Sequence, residues 1–356
     1  MPRLPSLAVL LLASASALAA PEAAPPPRSM EFVAIESSLA TAGDRIRQFA
    51  FDGNPASYFA SEKKATKADH LTFKFENPVA VKSVTVLTGR PNGDDKLTKG
   101  VVELSTDGTN FEEAGTFADG KATIAGNWKG VTALRIRPTE DLTTPLVVRE
   151  VTIDSAPQVA TFRYPIEFTL DVADAPEMKE WAEGVVRVCE REYPRICTLL
   201  ASDGFRPLTQ IRMAFKSDYN GVAEAGGGRI RGSVKFFKAN PKDIGAMVHE
   251  TVHCVQLYRG RGNPGWLVEG VADYVRFWKY EPGKAGRVNP ERAQYNGSYR
   301  TTAAFLAFVT DKYDGQLVPK LNALMRDGKF EEGVWKKLTG KTADELNQEW
   351  KKSLVK

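Results

Sequence analysis

Histidine occurs three times in the 356 residues, and two of the three stand in the pattern His249-Glu250-Thr251-Val252-His253. On a helix, residues four apart share one face, so both imidazoles project into the same space about one turn apart. Neutral imidazole binds zinc at about 2.0–2.1 Å. A carboxylate directly after the first histidine is angled toward a water at such a metal and not toward the metal itself. Two ligands leave a site incomplete. Sixteen residues after His253 comes Glu269, and one helical turn later Asp273, both in the mostly apolar run Trp266-Leu267-Val268-Glu269-Gly270-Val271-Ala272-Asp273-Tyr274. Glu269 is expected to fold back onto the histidines. Asp273 is placed to orient an imidazole N–H, and it also has the chemistry of a third ligand.

These side chains need two helices joined by a tight turn. Asn240 and Pro241 are expected to cap and open the first, with Asp243 at its positive end. Gly260 to Pro264 should end it, and Asn263-Pro264 should start the second. Upstream, the pattern predicts a strand over Tyr164–Val172, then a helix capped by Asp174 with Pro176 in its first turn. Met178, Trp181, Val185 and Val188 fall on one face of that helix. Two strands follow, Gln210–Phe215 and Arg229–Phe237, separated by Gly226-Gly227-Gly228. The rest reads as helix, the last one opening on the capping box Thr342…Glu345 and aligning Leu346, Trp350 and Leu354. Residues 162–356 thus form an α+β half in which a small sheet precedes a helical bundle. Cys254 is expected in the core. Cys189 and Cys197 either bridge around Tyr193-Pro194 or are buried thiols.

Residues 31–155 have a different grammar. Leu71–Phe75, Val81–Leu87, Val101–Leu104 and Ala133–Arg137 alternate, with turn chemistry at Thr106 to Asn110, which predicts an antiparallel β-sandwich. Ahead of it, residues 1–20 carry Arg3, an apolar centre and a small-residue cleavage site, the marks of a secretory signal peptide, and residues 21–30 form a proline-rich linker. Export, to the periplasm or the outside, is the expectation, with no transmembrane segment after signal removal. The composition, 42% hydrophobic and 26% charged, is that of a globular protein and excludes wholesale disorder. A net charge of +4, with acids interspersed among the bases, gives no footprint for a nucleic-acid partner.

Two resemblances attach to these patterns. Phe51-Asp52-Gly53-Asn54-Pro55, Leu71 to Phe75, Val81-Lys82-Ser83-Val84, Val102 to Gly108 and Leu134 to Arg137 resemble the discoidin (coagulation-factor type C) family, with Tyr58-Phe59 where that family commonly shows a Trp. The resemblance implies a galactose-binding-like jelly roll and a glycan or cell-surface ligand, or a spacer role. His249 to His253, Gln256, and Gly262-Asn263-Pro264-Gly265-Trp266-Leu267-Val268-Glu269-Gly270-Val271-Ala272-Asp273-Tyr274-Val275-Arg276 closely resemble the basic secretory protein family, gluzincin-type metallopeptidases. That resemblance runs from about Tyr164 to Leu354. It implies a zincin-like domain with zinc on His249, His253 and Glu269, Glu250 as the catalytic base, and a peptide or protein substrate.

The chemistry expected of such a site is attack on a peptide carbonyl by water that Glu250 deprotonates. A further donor would stabilise the oxyanion; Tyr299 is the candidate, with Tyr274 and Tyr295 as rivals. A surface-binding or adhesion protein with a structural zinc site is the reading from another class, and glycan remodelling by the same zinc chemistry is a third. Gly226-Gly227-Gly228 lacks the lysine of a phosphate loop, and His70 has no nucleophile elbow near it.

Overall fold

Alternating burial along the first half builds the sheet layers that the sequence pattern predicts. The computed structural model describes residues 30–258 and 262–355; the segments expected to be a signal peptide and a linker, except Met30, lie outside the described residues. The strands are β1 Met30–Glu31, β2 Val33–Ser37, β3 Phe59–Lys64, β4 Leu71–Thr88, β5 Gly100–Ser105, β6 Glu112–Thr116, β7 Lys121–Pro138, β8 Pro145–Ala156 and β9 Gln158–Val159. They are ordered β3-β8-β4-β7-β5-β6, with β2 also on β4. Leu71–Phe75 and Val81–Leu87, expected as separate strands, belong to the single long β4, which shifts register against β7 between Lys74 and Ser83. Such shifts let one strand bend between the two layers of a sandwich. Phe51, Phe73, Val84, Leu134 and Val151 fill the core.

The second half comprises β10 Glu167–Asp171, α1 Lys179–Leu199, β11 Gln210–Lys216, β12 Ala223–Gly226, β13 Arg229–Ser233, α2 Val234–Ala239, α3 Gly245–Gln256, α4 Gly265–Val275, α5 Tyr299–Lys312, α6 Leu317–Arg326, α7 Val334–Thr339 and α8 Ala343–Leu354. The sheet order is β10-β11-β13-β12, with β12 the antiparallel edge. A core of helix faces joins it, including Trp335, Trp350 and Phe305. The chain is therefore a β-sandwich followed by an α+β unit. No helix among the described residues is long and apolar enough to cross a membrane.

Several local expectations are corrected. The strand expected to run to Phe237 stops at Ser233, whose hydroxyl accepts the Phe236 N–H at 3.2 Å and caps α2. Asn240 ends α2 instead of starting α3: its N–H and side-chain amide both bond the Phe236 carbonyl, and α3 begins at Gly245. Asp174 binds Lys216 and Ser217 instead of capping α1. Cys189 and Cys197 are free, buried thiols. They lie on the one continuous helix α1, which accepts Pro194 in its interior. Eight residues of helix span about 12 Å, beyond the roughly 4.4–6.8 Å that a disulfide bridges between Cα atoms. The capping box at Thr342 and Glu345 is present.

The two units meet through polar side chains. Arg47, from the sandwich, pairs with Glu190 at 3.1 Å and Glu167 at 3.4 Å, and Thr41 donates to Glu167 at 2.8 Å. Phe162, expected near the start of the second half, packs edge-on against Phe51 in the sandwich core.

Candidate metal centre and its cleft

The helix carrying the histidines is buried at every residue except the half-buried His253, because Met247, Val248, Val252 and Val255 pack into the core. Ala246, His249, Glu250, His253, Cys254 and Gln256 border a cleft of about 1320 Å³. His249, Glu250 and His253 line its floor, and Glu269 and Asp273 reach in from α4. The edge strand β12 forms one wall, and the start of α5 forms the other.

Three donor atoms converge. His249 Nε2 lies 3.1 Å from His253 Nε2 and 3.1 Å from Glu269 Oε2, and His253 Nε2 lies 3.4 Å from the same oxygen. Ligands held at about 2.0–2.1 Å around a tetrahedral ion are separated by about 3.3 Å, so this triangle is one face of such a tetrahedron. The far ring nitrogens are occupied. His249 Nδ1 donates to Asp273 Oδ1 at 2.7 Å, and His253 Nδ1 donates to Gln256 Oε1 at 2.7 Å. Both Nε2 lone pairs therefore turn toward each other, an arrangement that repels unless a cation lies between them. The residues fit a divalent metal. His249, His253 and Glu269 form the cluster of potential metal-binding side chains found among the described residues.

Without metal, the groups share protons. Burial works against the His249 imidazolium, but the hydrogen bonds to Asp273 and Glu269 outweigh it and lift the group to about 9. Burial likewise opposes the Glu269 carboxylate, yet the bonds from His249 and His253 hold it at about 2. Glu250 is pushed upward, by burial first, with the two histidines pulling it partly back. A carboxylate of raised pKa in a cleft is suited to proton transfer near neutral pH.

Tyr299 opens α5 with its ring stacked on that of His249, the centroids 6.2 Å apart. It is 55% exposed, so it presents its face to the cleft. Ser298 and Tyr299 both sit at positive φ, +68° and +46°, a conformation that costs non-glycine residues energy and clusters at functional sites. The rivals are elsewhere: Tyr274 stacks on Trp278 and Tyr295 packs on Trp266 and Phe305. The structure thus brings His249, Glu250, His253, Glu269, Asp273 and Tyr299 together. It also supplies what the sequence left without a role. Gln256, quoted in the sequence only as part of the family resemblance, orients His253 while its amide N–H₂ donates to the Val268 carbonyl of α4 at 3.0 Å. The edge strand β12 had no signal, its four residues being Ala, Glu, Ala and Gly.

Comparison with known proteins divides the chain in two. The family described as "Peptidase of plants and bacteria" (BSP) matches residues 154–350, more than half of the chain. The F5/8 type C domain matches residues 34–157. No curated protein matches the sequence. Among solved structures, the chain is similar to the CBM32-1 module of a family 31 glycoside hydrolase from Clostridium perfringens, at 20% identity over 34% of this chain and 92% of that one, with a TM-score of 0.30. A chitosan-binding module from a Paenibacillus sp. IK-5 chitosanase/glucanase, bound to chitotriose, is 18% identical over 34% and 94% of the chains, with a TM-score of 0.30. CBM32 and M60 catalytic domains of ZmpB from Clostridium perfringens are 11% identical over 34% and 14%, with a TM-score of 0.30.

Proposed function

The chain belongs to the BSP family of peptidases of plants and bacteria, and from that premise we propose that it is an exported, zinc-dependent metallopeptidase of the gluzincin type. In this reading His249, His253 and Glu269 hold the zinc, and the sandwich is an accessory module for a glycan or cell-surface ligand. The observation that carries the reading is the donor triangle with both Nδ1 atoms already engaged. A closed structural zinc site takes four protein donors, whereas three converge among the described residues, which favours an open, catalytic position.

Zinc, when bound, supplies Lewis acidity for activating water and polarising a carbonyl. Glu250 then acts as general base toward the attacking water and afterwards returns the proton to the leaving amine. Asp273 and Gln256 keep each imidazole in the tautomer whose Nε2 lone pair faces inward. The Tyr299 hydroxyl is the donor for the developing oxyanion. The outer edge of β12 borders the cleft and has no strand partner among the described residues, so an extended peptide can add to it through backbone hydrogen bonds.

Metal analysis combined with a broad peptide-library digest tests the proposal. The wild type should bind about one zinc per chain and cleave peptides. Glu250→Gln keeps the side chain's size and removes the base, so zinc should stay while hydrolysis falls by about two or more orders of magnitude. Cleavage by Glu250→Gln at the wild-type rate would end the mechanism.

A further inference from the structure

Charge along the cleft is unevenly satisfied. Of its carboxylates, Glu224 pairs with Arg231 at 2.6 Å, Glu269 serves both histidines, Asp273 serves His249, and Glu250 faces the same group. Of its three arginines, Arg276 is held by Asp243 and Glu281. Arg206 and Arg300 line the same cleft, both exposed, and among the described residues neither has a carboxylate within ion-pair distance.

The two differ in place and in order. Arg206 follows Phe205, which carries the Arg326 guanidinium at 4.2 Å; Arg326 in turn donates to the Val255 and Gln256 carbonyls, so Arg206 marks the C-terminal end of α3. Arg300 lies at the opposite end. Its guanidinium sits 4.5 Å over the Phe277 ring, and the Arg276 guanidinium lies 4.5 Å from the same ring. Phe277 is only 2% exposed, a fixed platform. A guanidinium stacked on a ring face keeps its N–H edge free and oriented, the geometry that receives a carboxylate in a bidentate fork. Arg300 also follows Tyr299 directly, whose ring lies against His249, so this cation stands one residue from the reacting centre.

Building on the peptidase reading, we propose that Arg300 is a specificity-determining residue that selects substrates presenting a carboxylate at its end of the cleft. The carboxylate is either an Asp or Glu side chain or the peptide's own C-terminus. A charge-assisted hydrogen bond to a fixed guanidinium discriminates by about 10- to 100-fold between a carboxylate and its neutral isostere.

The test uses fluorogenic peptide pairs identical except for Glu against Gln, scanned through the positions on both sides of the cleaved bond. Each pair is made with a free and with an amidated C-terminus. The zinc-loaded wild type should prefer Glu at one position by about 10- to 100-fold in kcat/KM, which identifies a side-chain carboxylate, or should prefer the free terminus by that factor, which identifies the α-carboxylate. Arg300→Gln should bring the ratio near one, and Arg300→Glu should turn the preference toward Lys. The same pairs, titrated by fluorescence anisotropy against Glu250→Gln, should show the preference in binding without turnover. Cleavage with no carboxylate preference, a preference that survives Arg300→Gln, or one that is lost in Arg206→Gln instead would overturn the assignment while leaving the peptidase reading intact. Failure of the loaded wild type to cleave any peptide would overturn both.

Discussion

Gly270 sits between the metal-site helix and the helix that carries Tyr299, and adding one methyl group there should disturb both. A Cβ at position 270 would lie 2.1 Å from Thr302 Cγ2 and 2.7 Å from Thr302 Cβ, where ordinary contact begins at 3.4 Å; the worse of the two is short by about 1.3 Å. Thr302 cannot simply rotate away. Its hydroxyl donates to the Tyr295 carbonyl at 2.8 Å and accepts the Ser298 N–H at 3.0 Å, and losing both bonds costs about 1 kcal/mol each. The alternative, pushing α5 off α4, is overpacking at about 1–3 kcal/mol. Against this, alanine is favoured over glycine in a helix by about 0.8–1 kcal/mol. With so close a contact the upper part of the range applies, so Gly270→Ala should destabilise the second half by about 2 kcal/mol net. Urea unfolding followed by tryptophan fluorescence reads this half well, because every tryptophan except Trp128 lies in it. Thr302→Ser deletes Cγ2 and keeps the hydroxyl, so the double variant should regain about half the loss. Since metal ligand distances tolerate only about 0.2 Å, displacement beside Glu269 should also weaken zinc binding tenfold or more. Gly270→Ala within about 0.5 kcal/mol of wild type, or a double variant no more stable than the single, would refute the argument.

Two more outcomes are expected. Asp273→Asn removes the carboxylate that orients His249 at 2.7 Å, and should lower zinc affinity by about 10- to 100-fold in a chelator competition; unchanged affinity would dismiss the orienting role. In the sandwich, burial and the neighbouring Asp52 push Glu150 up to about 7. The folded state therefore keeps a proton that the unfolded chain releases near pH 4.5, and stability declines as pH rises from about 4.5 to about 7. Glu150→Gln should flatten that decline in calorimetric scans, and an identical slope in both proteins would show that the group does not contribute.

What the sequence revealed of the site depended on helical periodicity. His249 and His253 share a face because they are four apart, and Glu269 meets them because the intervening turn is short. The sandwich was legible from alternation, although the bend that makes Leu71–Thr88 one strand was not, since a register shift leaves no mark in the pattern. Errors arose where local signals compete. Asn240-Pro241 carries the residue types of a helix start, yet the same asparagine ends α2, and only the packing of α3 decides between them. Val234 to Phe237 has strand-forming residues, and one hydroxyl, that of Ser233, turns it into helix. The pairing of Arg300 with Phe277 joins residues 23 apart on different elements, and nothing in the local sequence announces it.

The cleft is braced unequally, and the inequality matches the division of tasks proposed for it. Helix α3 is fixed by apolar burial, and its rings are fixed by a reciprocal polar lock: Gln256 of α3 holds the backbone of α4 at Val268, while Asp273 of α4 holds His249 of α3. Any sliding of one helix along the other breaks both contacts, so the donor triangle is rigid before metal enters, as metal coordination requires. The α5 arm has no such lock at its tip. Ser298 and Tyr299 rest in a costly left-handed turn anchored from below by Thr302, and Tyr299 and Arg300 themselves are exposed. Such a turn persists only where its surroundings over-determine it, and the buried Phe277 ring fixes the Arg300 guanidinium from the other side. The α3–α4 wall thus holds the donor triangle, and the α5 wall presents the proposed oxyanion donor and the cation proposed to select substrate.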